Sequence, residues 1–171
     1  VHTLAIFDTV PQAIAMTEWV YASMPKRVND PDVFGDQPIV TGDDEIVDME
    51  WRILAMGCRR SIQETSCKCR EIGGLYIAAH IDRPNFSVYS QLGAIPEGCF
   101  DAVEFSRTAD ESLWMPKSGG LAAIRSSDAH NLDDVAKVWT EADVPVATVA
   151  TLKSAFAARR TRLSPQLRSF H

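Results

Sequence analysis

Apolar positions in this chain fall into short blocks separated by stretches of helical spacing. The opening "VHTLAIF" is a mostly apolar run and predicts a strand. "PQAIAMTEWVYASMP" then sets Met16, Val20 and Met24 four apart on one helical face, bracketed by Pro11 and Pro25. In "SIQETSCKCREIGG", Ser61 with Glu64 three positions on is a capping box and Gly73–Gly74 is a stop, so the pattern predicts a helix over 62–72. Three short apolar runs follow, "LYIAAH", "DAVEFS" and "LAAIRSS", each read as a strand. His80, Glu104 and Asp128 stand at or near their ends, 24 residues apart at each step, close to one strand plus a return connection. That rhythm predicts an α/β fold with mostly parallel strands.

Beyond Asp128 the pattern is mixed: Val135, Val138 and Trp139 suit a helical face, while "KVWTEADV" suits an edge strand. We expect a short helical turn at 131–135, then a strand, then a terminal helix in "TLKSAFAARRTRL" capped by Thr151 with Leu152 and Phe156 packing four apart. The stretch "NDPDVFGDQPIVTGDDEIVDME", about 28–50, carries Asp30, Asp32, Asp36, Asp43, Asp44, Glu45, Asp48 and Glu50 without a Lys or Arg. It lacks the twelve-residue helix–loop–helix pattern of a calcium site and reads as a solvated, turn-rich excursion. Without internal repeats or low-complexity tracts, residues 1–171 read as one domain.

Composition narrows the class. With 171 residues, 46% apolar and 23% charged, the chain can build a proper core and is neither disordered nor fibrous. It has no apolar window near the roughly 18 residues a membrane span needs, and no signal-peptide pattern, so a cytoplasmic protein without a membrane partner is expected. Cys58, Cys67, Cys69 and Cys99 read as free thiols, since Cys67 and Cys69 two apart on a helix point about 200° apart and grip one ion poorly. A net charge of −6 argues against a protein whose main role is coating nucleic acid, but leaves a small phosphorylated substrate open. The basic cluster Arg159, Arg160, Arg162 and Arg168 reads as a solvated helix face.

The chain has four histidines, His2, His80, His130 and His171, and three sit at the edges of predicted strands. Parallel α/β sheets collect reactive groups where strands end, so His80 and the Asp128/His130 pair are expected at one mouth. Imidazole with carboxylate suits zinc, manganese or iron, whereas magnesium would take fewer histidines. Histidines that merely satisfy a hydrogen bond are the competing reading of the same positions.

"GGLYIAAHIDRPNFS" and "IRSSDAH", in this order and separation, resemble the third and fourth motifs of the PHP family, the polymerase and histidinol phosphatase phosphoesterases. "VHTLAIF" resembles the strand just after that family's metal-binding glutamate, where a histidine is also a ligand. The resemblance implies a distorted (βα)7 barrel, apparently incomplete at its N-terminal side, that holds divalent ions (Mn, Fe or Zn) and hydrolyses phosphate esters as a phosphatase or nuclease-like phosphoesterase. It implies His2, His80, Asp128 and His130 as metal ligands and Arg83 as the group meeting substrate phosphate on a phosphorylated small molecule or nucleotide. Glu104 has no counterpart in those motifs; it either orients a ligand from behind or makes a structural salt bridge. The family's opening H-x-H is missing. The chain therefore reads as a piece of a longer hydrolase, with a non-catalytic metal- or ligand-binding fragment of the same fold as the alternative and an amide hydrolase in a related metal barrel as a third reading.

Overall fold

The computed structural model describes residues 1–167, so the Arg168 of the basic cluster and His171 lie outside the described residues. In chain order the elements are β1 (Thr3–Ile6), α1 (Val10–Ser23), α2 (Pro31–Phe34), β2 (Pro38–Val40), β3 (Ile46–Met49), α3 (Ile62–Ile72), β4 (Leu75–Ala78), α4 (Val88–Leu92), β5 (Ala102–Phe105), α5 (Glu111–Trp114), β6 (Ala122–Arg125), β7 (Thr140–Ala142), α6 (Val149–Ala157) and β8 (Thr161–Leu163). They divide into two compact units, one made of Val1–Met16 with the residues from Ile62 onward, the other of Thr17–Ser61.

In the first unit β1, β4, β5 and β6 lie side by side in that order. β4, β5 and β6 are parallel, as their 24-residue rhythm predicts, and β1 joins β4 antiparallel. Every residue of β4 and β5 is buried, which is why both strands are apolar runs rather than alternating ones. On one face Leu75, Ile77, Ala102 and Ala122 pack against Val149 and Phe156 of α6. Tyr76, next along β4, stacks on Phe100 with ring centroids 5.1 Å apart.

α3 ends as its sequence predicts. Gly73 turns left-handed at φ +91°, and the Gly74 N–H returns to the Cys69 carbonyl at 2.8 Å. Gly74 has no room for a side chain, because a Cβ there would lie 2.3 Å from Phe7 Cε1 and 2.6 Å from Cys69 Sγ. Two thiols two residues apart do part company on this helix: Cys69 is buried and Cys67 exposed. After β6 a 3-10 turn at Leu132–Asp134 and then β7 match the expected turn and strand.

The terminal helix differs from expectation. α6 starts at Val149, with its cap three residues before Thr151, because Thr148 caps it: the Thr148 hydroxyl accepts the Thr151 N–H at 3.2 Å and Thr151 Oγ1 accepts the Thr148 N–H at 3.0 Å. The helix ends at Ala157, Arg159 turns left-handed at φ +53°, and residues 161–163 pair with β7 as a strand. Arg159, Arg160 and Arg162 thus do not form a helix face; Arg162 pairs with Glu141 across the β7–β8 ladder.

The described residues are mixed α/β, but they do not close a (βα)7 barrel. The largest sheet has four strands, one of them antiparallel, and the others have two each, too few to curl round and meet. The outer edge of β6 is covered through a side chain, since Thr140 Oγ1 accepts the Arg125 N–H at 2.7 Å and donates to the Arg125 carbonyl at 2.8 Å. Among the described residues no helix is long and apolar enough to cross a membrane.

The second unit holds the acidic stretch, expected as a solvated loop. It is exposed, but it contains an antiparallel hairpin, β2 with β3, and the one-turn helix α2 capped by Asp30. The turn is tied by Thr41, whose hydroxyl accepts the N–H groups of Asp43 and Glu45 at 3.2 and 3.3 Å. Arg52 lies over the Tyr21 ring at 3.9 Å and donates to the Tyr21 carbonyl at 2.6 Å.

Candidate functional site

The C-terminal ends of the three parallel strands carry the chemistry-bearing residues. His80 follows β4 and Asp128 follows β6, and both sit at positive φ, +28° and +46°. Such backbone costs of order 1–3 kcal/mol per residue and persists only where surroundings hold it. Between the two strands lies Glu104 on β5, which is 2% exposed. Its Oε2 accepts the His80 backbone N–H at 2.9 Å and its Oε1 accepts the Ser126 hydroxyl. These are bonds to neutral groups, so Glu104 does not act there through a salt bridge. Alongside, Asp82 accepts the Ser106 N–H at 2.7 Å and its hydroxyl at 2.5 Å.

His2, at the start of the chain, reaches His80 across 78 positions: its Nδ1 lies 3.3 Å from His80 Nε2, with the rings edge to face at 71°. Phe86 stacks flat on the other side of His2, centroids 4.9 Å apart, and its carbonyl takes the His2 backbone N–H at 2.7 Å. Burial, first, and then the neighbouring His80 hold the His2 imidazole below its ordinary pKa, which Asp128 partly opposes. Both effects favour the neutral ring, the form that binds metal. Arg83 Nη2 meets Asp128 Oδ2 at 2.8 Å, both side chains part-exposed. His130 is exposed, and its Nδ1 lies 2.8 Å from the carbonyl of Asp128.

Three observations bear on whether an ion fits. Two metal–nitrogen bonds of about 2.0–2.1 Å at a tetrahedral angle put their nitrogens roughly 3.3–3.4 Å apart. The His2–His80 separation of 3.3 Å has that value, and it is equally the length of a hydrogen bond between the two rings. His80 Nδ1 is buried without a hydrogen-bond partner among the described residues, whereas Asp128 Oδ2 is already met by Arg83 at 2.8 Å. Against these, no three His, Cys, Asp or Glu side chains among the described residues converge on one point. The two imidazoles therefore fit one edge of an ion's coordination shell. Asp128 stands beside them, engaged by Arg83, and His130 stands at the surface.

Sequence reading overlooked Phe86 and Ser126. Phe86 lies inside the motif-like "HIDRPNFS" without a role assigned to it there, and Ser126 is one of two adjacent serines that spacing does not distinguish. An apolar cavity of about 380 Å³ opens beside Ser126 and Ser127, walled by Ile124, Trp139 and Phe156, and its lining does not include His2, His80, Arg83 or Asp128.

Residues 117–161 match the model of a family described as PHP-associated. Across 95% of its length the chain is similar in fold to the crystal structure of the lesion-specific endonuclease PfuEndoQ from Pyrococcus furiosus, with a TM-score of 0.62 and 18% identity. It is similar, over 92% of its length, to endonuclease Q in complex with a 27-mer duplex substrate bearing an abasic lesion at the active site, with a TM-score of 0.60 and 17% identity. The chain spans only 37% and 36% of those two structures. No curated protein matches it.

Proposed function

We propose that this chain is a PHP-family protein, as the family-model and structural matches together support, and the part of a nuclease-like, metal-dependent phosphoesterase that carries His2, His80, Arg83, Asp128 and His130. The observation that carries the reading is the pair of imidazole nitrogens 3.3 Å apart at the ends of parallel strands, beside the Arg83–Asp128 ion pair. A bound divalent ion would lower the pKa of a coordinated water and polarise a phosphoryl oxygen. His2 and His80 would hold it, with Asp128 and His130 as further donors. Arg83, whose planar fork matches a phosphate, would orient the substrate anion and stabilise charge developing on it. Arg83 and Asp128 neutralise each other in this structure, so an anion taken up by Arg83 leaves the Asp128 carboxylate available.

The substrate class we favour is a phosphodiester of nucleic acid. The overall charge of −6 speaks against this less than it first suggests. Residues 28–51 contain eight of the 23 acids and none of the 17 Lys and Arg, so all other residues carry 15 acids against 17 bases. Outside the acidic stretch the chain is thus slightly basic.

One observation favours a second reading, a metal- or ligand-binding segment without turnover of its own: fewer than three donors converge among the described residues. A single comparison separates them. Elemental mass spectrometry and cleavage of an abasic-site duplex are measured on the complete protein and on its His80→Ala/Asp128→Ala/His130→Ala variant. Metal and cleavage both lost in the variant support the phosphoesterase. Metal lost with cleavage never present supports the binding segment, and metal and cleavage unchanged overturn both.

A further inference from the structure

We infer that Glu104 is the positioning residue of this site: one buried carboxylate clamps the two loops that present His80 and Asp128. Its role toward a metal rests on the reading above, whereas the clamp itself does not. The argument starts from β5, where "AVEF" puts an acid in a strand with every residue buried. A carboxylate removed from water needs all its lone pairs used well, and Glu104 uses its two oxygens on different neighbours. Oε2 holds the backbone N–H of His80 at the end of β4, and Oε1 holds the hydroxyl of Ser126 at the end of β6. Its own carbonyl takes the N–H of Ile81 at 2.9 Å. His80, at φ +28°, and Asp128, two residues beyond Ser126 at φ +46°, are the left-handed positions of those loops. The strain lies where the ligand candidates are, and the clamp lies between them.

A core acid with only a packing role would have no reason to span both loops. The clamp makes a distinct prediction, because glutamine can replace glutamate in it. The Gln carbonyl would accept from His80 N–H while its amide donates to Ser126, whose hydroxyl turns from donor to acceptor. Alanine leaves both groups unanswered.

The test uses the full chain, first without metal, with the His2 and His80 ring resonances followed by NMR and His80 amide exchange measured. Zinc is then titrated by calorimetry. In Glu104→Ala we expect shifted His80 and His2 ring signals, faster exchange at the His80 amide and zinc binding weakened about 10- to 100-fold. Glu104→Gln should restore most of each. Ser126→Ala should weaken zinc binding while leaving the His80 amide protected. Val103→Ala, a core change on the same strand, should lower the melting temperature without moving the ring signals. Unshifted ring signals and amide exchange in a folded Glu104→Ala overturn the proposal, as does a Gln variant that behaves like Ala. If Glu104→Ala does not fold, the Gln and Ser126→Ala variants decide by the same readouts. If the unaltered chain takes up no zinc while the ring signals follow the expected pattern, the clamp stands and the metal reading falls.

Discussion

β3 and β5 are nearly the same word. Ile46-Val47-Asp48-Met49 and Ala102-Val103-Glu104-Phe105 each run apolar, apolar, acid, apolar, yet every residue of the first is exposed and every residue of the second is buried. Asp48 spends its carboxylate on the N–H of Met49, its own neighbour, at 2.7 Å. Glu104 spends its carboxylate on residues 24 positions before it and 22 after it. The strand between two parallel partners, β4 and β6, has no solvent-facing edge, so its acid must find partners inside and becomes an organiser. The strand in a two-stranded hairpin stays wet, and its acid organises nothing beyond one bond. Local pattern selects strand in both places, and the neighbours decide what an acid in that strand is for.

The comparison breaks most visibly at the last position of each strand. Phe105→Ala should cost about 3–5 kcal/mol, as for a buried aromatic, while Met49→Ala, at a residue 46% exposed, should stay within about 0.5 kcal/mol. Urea unfolding of the two variants checks this, and equal losses would remove the distinction. The acids come next. Glu104→Ala should cost about 1–3 kcal/mol, because it leaves the buried His80 N–H and Ser126 hydroxyl unpaired, against no more than about 0.5 kcal/mol for Asp48→Ala. The smallest effect sharpens the same contrast within one helix. Burial, and then the Asp101 carboxylate, push the Cys69 thiol up to about 11, while Cys67 two residues away is exposed. A thiol-reactive dye at pH 8 should label Cys67 in the native protein and spare Cys69 until denaturant is added. The sign for stability follows: a thiol whose folded pKa is raised keeps its full contribution below the ordinary thiol value and loses it as pH climbs toward about 11.

Much of the fold was legible in advance where a single stretch of chain contains its own reasons. α3 runs over the predicted residues, with its glycine stop placed by Gly73 and Gly74, and the three parallel strands recur at the expected spacing. Errors fell where two nearby residues compete for one role or a partner is distant. Thr148 and Thr151 are both capable caps, and the reciprocal bond between them puts Thr148 outside and Thr151 inside the helix. Residues 161–163 have helical neighbours in sequence but become a strand because β7 offers them a ladder.

The sequence by itself determined the α/β rhythm, the placing of His80, Glu104 and Asp128 at the ends of successive strands, and the concentration of acid between residues 28 and 51. Spacing and side-chain type are properties of a short window, so they can be read there. Only the tertiary structure decided that His2 meets His80 across 78 residues, that Arg83 is paired with Asp128, that His130 faces solvent, and that Glu104 ties two loops together. Each of those outcomes depends on which strands become neighbours and which surfaces they bury, a choice made by the packing free energy of the whole chain and written in no single segment of it.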